Sequence, residues 1–262
     1  MTEMDSIVDK TLVLDAVELT VADLDRSVEY YTQDIGLRLL ARDTGSAGLG
    51  VPGRAFVVLR QLPGALPPPS SSAGLSHFAP QVPTPADLAG RFVRHYARYA
   101  RFQLIDHVIS RSCYVPDPDG HCVEVTCTRP RNEWRWQNGR PVLVADPLEM
   151  RDFSGEPGAD LPFDSLPPDT ELGHVQLKVT DPGLAVTEPF YCDLLGFEVE
   201  ARLGPCFSPS GLPPTGSARP GESPHPRTAP GSSASIWCAP PQTTLTSWPA
   251  GFPRAPSRGS GV

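Results

Sequence analysis

The stretch VELTVADLDRSVEYYTQDIGL, residues 17–37, passes from a strand into a helix and sets the fold class. Its first part belongs to residues 12–22, which are rich in β-branched side chains and read as a strand. Asp23 stands as an N-cap. Leu24, Val28, Tyr31 and Ile35 then recur at helical spacing, and Gly36 supplies the stop. Beyond it, 37–43 reads as a strand, 45–50 as a glycine-rich turn and 54–62 as a strand, giving one β-α-β-β-β unit.

After a Pro/Ser linker at 67–72 the same order returns. Residues 75–82 read as a strand, 85–100 as a helix with proline near its first position, and 102–108 and 112–115 as strands. The turn Asp117-Pro118-Asp119-Gly120 punctuates a hairpin that 122–128 closes. A third copy starts after a proline-rich connector at 157–168. Val17, Leu19, Val21, Asp23, Tyr31, Gly36, Ala41 and Arg42 match Val175, Leu177, Val179, Asp181, Tyr191, Gly196, Ala201 and Arg202. The later matches require a two-residue insertion in the helix, where Pro182 and Pro189 fall.

The bulk numbers exclude several classes. With 22 Lys and Arg against 30 Asp and Glu, the formal charge is -8, the wrong sign for a nucleic-acid or anionic-membrane surface. No apolar run reaches the ~20 residues that cross a bilayer. The opening MTEMDSIVDK lacks a basic and an apolar leader region, so the expected location is the cytoplasm. The six cysteines form no C-x-x-C pair and read as buried small hydrophobes.

From Gly204 the texture changes, with 13 of the 32 prolines and neither aspartate nor lysine in 204–262. The ordinary reading is a disordered low-complexity tail. The genetic code offers another, a frameshifted fourth unit. With the frame moved by one base and GC-rich codons, 231–252 can be read as a strand followed by the Leu-Ala-Gly-Arg text of residues 88–91.

Three passages together resemble the vicinal-oxygen-chelate superfamily of glyoxalases, bleomycin-resistance proteins and extradiol dioxygenases. They are residues 17–37, the segment Gly74-Leu75-Ser76-His77-Phe78-Ala79, and Pro116-Asp117-Pro118-Asp119-Gly120-His121-Cys122-Val123-Glu124. Arg129-Pro130-Arg131-Asn132-Glu133-Trp134 and Pro147-Leu148-Glu149-Met150 narrow the likeness to catechol 2,3-dioxygenases of the CatE type. The resemblance implies an α+β protein of paired βαβββ units. One vicinal-oxygen-chelate domain spans 10–130, a linker 131–170, the truncated start of a second domain 171–203, and the tail 204–262.

It also implies a metal. His77 and Glu124 stand where the second unit supplies an imidazole and a carboxylate. The first unit has Ala16, seven residues before Asp23, at the position equivalent to His77; the third has His174, seven before Asp181. A triad of His77, Glu124 and His174 therefore requires the second and third units to pair. The implied cofactor is Fe(II), with Mn(II) or no metal as alternatives, and the implied partners are a small aromatic substrate and O2. His107, in the run Asp106-His107-Val108-Ile109-Ser110, is either a relay for a catechol proton or a histidine exposed at a strand end. Tyr114 either lines the pocket or packs the core. The implied activity is extradiol ring cleavage. A non-catalytic small-molecule binding protein and an inactive, C-terminally damaged remnant are the rival readings.

Overall fold

The computed structural model describes residues 14–69, 72–96, 102–156, 164–179, 183–195, 197 and 234–238. The first unit runs β1 (Val17–Val21), α1 (Leu24–Tyr30), β2 (Arg38–Arg42), β3 (Ser46–Val51) and β4 (Arg54–Gln61). The helix starts where the sequence places its cap, since Asp23 Oδ1 accepts from the Arg26 N–H at 3.0 Å. It widens into a π turn at Tyr31–Ile35 and stops at Gly36, whose φ of +81° is the left-handed conformation glycine adopts without strain.

One expectation fails here. Residues 46–51 form a buried strand rather than a turn, in the middle of the unit's antiparallel strands. Ala47, Leu49 and Val51 give this strand an apolar face. Gly50 answers to close packing, because a Cβ there would come within 2.1 Å of the Arg54 carbonyl oxygen. The first strand is also shorter than the 12–22 expected from composition.

The second unit repeats the order with β5 (Gly74–Gln81), α2 (Pro85–Tyr96), β6 (Gln103–Asp106), β7 (Ser110–Pro116) and β8 (Cys122–Thr128). Thr84 and Asp87 cap α2 reciprocally: the Asp87 N–H donates to Thr84 Oγ1, and the Thr84 N–H to Asp87 Oδ2. In both units the last strand pairs in parallel with the first. The four strands of the first unit make their own sheet, in the order β1-β4-β3-β2.

The second unit's sheet is larger. Short strands β9 (Trp136–Gln137) and β10 (Arg140–Pro141) form a separate hairpin, and β11 (Asp146–Pro147) joins the outer side of β6. A short helix α3 (Arg151–Ser154) follows, and Phe153 and Leu166 from 131–170 are buried in the shared core. On the other side β12 (Glu171–Val179) pairs antiparallel with β5, and β13 (Ala234–Cys238) pairs antiparallel with β12. The order is β11-β6-β7-β8-β5-β12-β13. Helix α4 (Gly183–Pro189) and a π turn at Phe190–Leu194 continue the third copy. The Phe197 N–H donates to the Tyr191 carbonyl at 2.9 Å, as Leu37 does to Tyr31 at 2.9 Å, so matched positions repeat a backbone bond. Matches at 198–202 and most of the tail lie outside the described residues.

The first two units share one apolar core, fed by Leu19, Val21, Leu49 and Leu59 from one sheet and Phe78, Val123 and Val125 from the other. The turn 117–120 clasps α1. Asp119 accepts from the Ala22 N–H, Arg26 and the Ser27 hydroxyl, while Asp117 accepts from Tyr31. Asp117 Oδ1 also takes the N–H groups of Asp119 and His121, which fixes the turn itself. Cys113 and Cys127 are buried free thiols, as expected of small hydrophobes. Among the described residues no helix is long and apolar enough to cross a membrane.

Candidate metal centre

Strand alternation splits the second sheet into two chemically different faces. Val123, Val125 and Cys127 of β8 enter the apolar core, while Glu124 and Thr126 face the other way beside Ser112 and Tyr114 of β7. His77 of β5 lies in register with Cys122 and so shares the polar face. The pairing of β12 with β5 carries His174 onto the same face, next to Ala79.

The three side chains meet. His77 Nε2 lies 2.8 Å from Glu124 Oε2, His174 Nε2 lies 3.1 Å from the same oxygen, and the two Nε2 atoms are 3.1 Å apart. All three residues are buried, with Glu124 at 0% exposure. Three atoms that carry lone pairs converge on one point, an arrangement that a cation relieves. Two donors at right angles on bonds of about 2.1 Å sit about 3.0 Å apart, whereas a tetrahedral pair sits about 3.4 Å apart. The triangle's edges match the right-angled arrangement, in which three donors occupy one face of an octahedron and leave positions open. Two imidazoles and one carboxylate are a donor set for a divalent first-row metal.

Electrostatics favours the same occupant. Burial pushes His77 below the ordinary histidine value, against the pull of Glu124, so its nitrogen lone pair is available. Burial alone would raise the Glu124 carboxyl, but His174 and His77 beside it hold it well below the usual carboxylate range. Glu124 Oε1 is buried with no hydrogen-bond partner among the described residues. A buried anion flanked by imidazoles is incompletely compensated until a positive charge arrives.

His107 is 1% exposed, which removes the reading of an exposed strand end. Its Nδ1 is 2.8 Å from the Val144 carbonyl and its Nε2 is 2.9 Å from the Tyr114 hydroxyl. Val108, next in sequence, has a φ of +70°, an outlier for a β-branched residue. Two bonds hold it there: its N–H donates to Asp106 Oδ1 and its carbonyl accepts from Arg129, which also grips the Asp106 carboxylate. The Asp-His-x-x-Ser text thus encodes a strained, tied turn at the mouth of the β6–β7 hairpin. Tyr114 joins the two groups, its ring 5.4 Å from that of His77 and its hydroxyl on His107. It lies beside the triad, in line with the pocket-lining alternative and not with core packing. Gln176, also buried on β12, went unnoticed because a glutamine two residues after a histidine carries no spacing signal.

Comparison with known proteins finds relatives of one kind. Residues 13–125 match the family model of the Glyoxalase/Bleomycin resistance protein/Dioxygenase superfamily. A catechol-2,3-dioxygenase of Bacillus subtilis (strain 168) is 34% identical over 185 residues, which are 70% of this chain and 64% of that protein. The match thus spans just under two thirds of that relative's length. Among solved structures, a glyoxylase/bleomycin resistance protein/dioxygenase domain from Frankia sp. EAN1pec is 26% identical, covering 45% of this chain and 98% of that one with a TM-score of 0.38. A glyoxalase/dioxygenase from Nostoc punctiforme is 21% identical over 45% of this chain and 91% of its own, with a TM-score of 0.36.

Proposed function

We propose that the chain, whose residues 13–125 match the family model of the Glyoxalase/Bleomycin resistance protein/Dioxygenase superfamily, binds a divalent metal on His77, Glu124 and His174 and acts with O2 on a catechol-type aromatic, as an extradiol ring-cleaving dioxygenase does. The observation that carries this reading is the buried triangle of two imidazole nitrogens and one carboxylate oxygen with edges of 2.8, 3.1 and 3.1 Å. Bound there, Fe(II) would supply Lewis acidity toward the ring oxygens and electron exchange with O2.

The remaining work falls to the protein's own groups. A catechol loses hydroxyl protons on chelation, and His107 with Tyr114 can hold one. The Val144 carbonyl only accepts, so His107 carries its proton on Nδ1, and in the neutral ring Nε2 accepts the Tyr114 proton. A proton delivered to Nε2 reverses that bond and frees the tyrosine hydroxyl to turn toward Glu124. Burial, aided by the Glu124 charge, raises Tyr114 well above the ordinary tyrosine value, so it passes a proton on rather than losing it.

Anaerobic loading with Fe(II), then catechol and air, tests the proposal. A yellow ring-cleavage product from the native chain but not from His174→Ala is the expected result. Catechol binding without any product would favour the non-catalytic binding reading instead.

A further inference from the structure

Gln176 is 2% exposed, and its Oε1 has no hydrogen-bond partner among the described residues. It lies on β12 directly opposite His77 and two residues from His174. Strand alternation therefore puts its side chain on the face that carries the triad. A buried amide oxygen left without a donor is costly, and native interiors rarely leave one so. Beside a site, such an oxygen is an acceptor that a ligand completes.

Resting on the proposed function, we infer that Gln176 is a specificity-determining residue that accepts a hydrogen bond from a third ring substituent, so that the preferred ligand is a vicinal trihydroxybenzene or an aminocatechol. A catechol held through both oxygens has given up protons there and has no further donor to offer the amide. A hydroxyl or amino group adjacent to the chelating pair supplies one. A site that hydrogen-bonds a substrate group discriminates strongly against an analogue lacking it, because its own polar atom is then left unpaired.

The test is calorimetric titration of the full chain, loaded with Fe(II) under anaerobic conditions, with catechol and with pyrogallol. The native chain should bind pyrogallol roughly 10-fold or more tightly than catechol. Gln176→Leu should erase that preference while retaining metal content and catechol affinity, and Gln176→Glu, which keeps an acceptor, should preserve it. Gln176→Met keeps the side-chain length without the amide and gives the same loss of preference if leucine disturbs the sheet. Equal affinities in the native chain, or a preference that survives both apolar variants, would overturn the inference while leaving the proposed function standing. If the loaded chain binds neither ligand, the proposed function fails, and the inference fails with it.

Discussion

The first and second βαβββ units have the same order of elements and the same parallel pairing of first and last strands, yet among the described residues only the second carries a candidate site. Ligand identity is part of the difference, since exposed Ala16 stands where the second unit has His77. The other part is the neighbouring strand. β5 is flanked on both edges, by β8 and β12, whereas among the described residues β1 pairs only with β4. On the open first sheet, Glu18 and Arg60 form a solvent-exposed ion pair 2.7 Å long. On the second, β12 adds a histidine and helps bury a carboxylate and two imidazoles against one another. The repeated fold is therefore only a frame. A metal site needs the right donors and also a second surface that takes them out of water.

The third copy extends the contrast. In α1, Leu24 and Val28 are buried, but Val186, Phe190 and Leu194 of the third copy are exposed at 70%, 46% and 52%. These positions lie four apart and form an apolar stripe with little of the structure packed over it.

The comparison breaks most visibly at the metal. His174→Ala should lower Fe(II) or Zn(II) affinity by at least about 100-fold, read by competition with a chelator, because it removes a donor from the face. Conversely, Ala16→His should add no second metal equivalent by elemental analysis, since no carboxylate stands across β4, where Glu18 faces Val58. A second bound ion would show that sheet exposure matters less than argued above.

The clasp between the units comes next in size. Asp119→Ala removes three hydrogen bonds, one of them from Arg26, and should cost about 2 kcal/mol in a denaturant titration. The metal affinity of this variant should change little.

That clasp also carries a pH signature. Burial would raise Asp119, but the Ala22 N–H, Arg26 and Ser27 lower it below its ordinary value. Its contribution is thus full above about pH 3.9 and is lost as pH falls through the lower folded value. His121 behaves in the opposite sense. Burial lowers it, the bond and charge of Asp117 outweigh that, and the net shift is upward. Its contribution is full below about pH 6.5 and is lost as pH rises through the raised value. The melting temperature should therefore decline on both sides of this window, and His121→Gln should remove the decline on the alkaline side only. The smallest effect belongs to the open sheet, where Glu18→Gln should shift stability by less than about 0.5 kcal/mol, because both partners are more than half exposed.

Much of the fold was legible because its signals are local. Asp23, Gly36 and Pro85 mark helix ends through hydrogen bonding and backbone preference, which need no knowledge of the rest of the chain. The strand at Ser46–Val51 was not legible, since small residues that pack closely read as a turn until their neighbours are known. The candidate ligands could be named from a family resemblance at His77, Glu124 and His174. The choice between pocket and core for Tyr114, and the position of Gln176, could not, because each depends on which strand lies alongside.

By itself the sequence determined two units of one pattern and the opening strand and helix of a third, the residues that bound the first two helices, and a donor at each of three positions. Only the tertiary structure decided that β12 lies against β5, which brings residues 97 and 50 positions apart in sequence to within 3.1 Å of each other. Strand pairing is satisfied by backbone groups that every residue carries. The choice of partner therefore leaves little trace in the local text and is made by the assembled sheet.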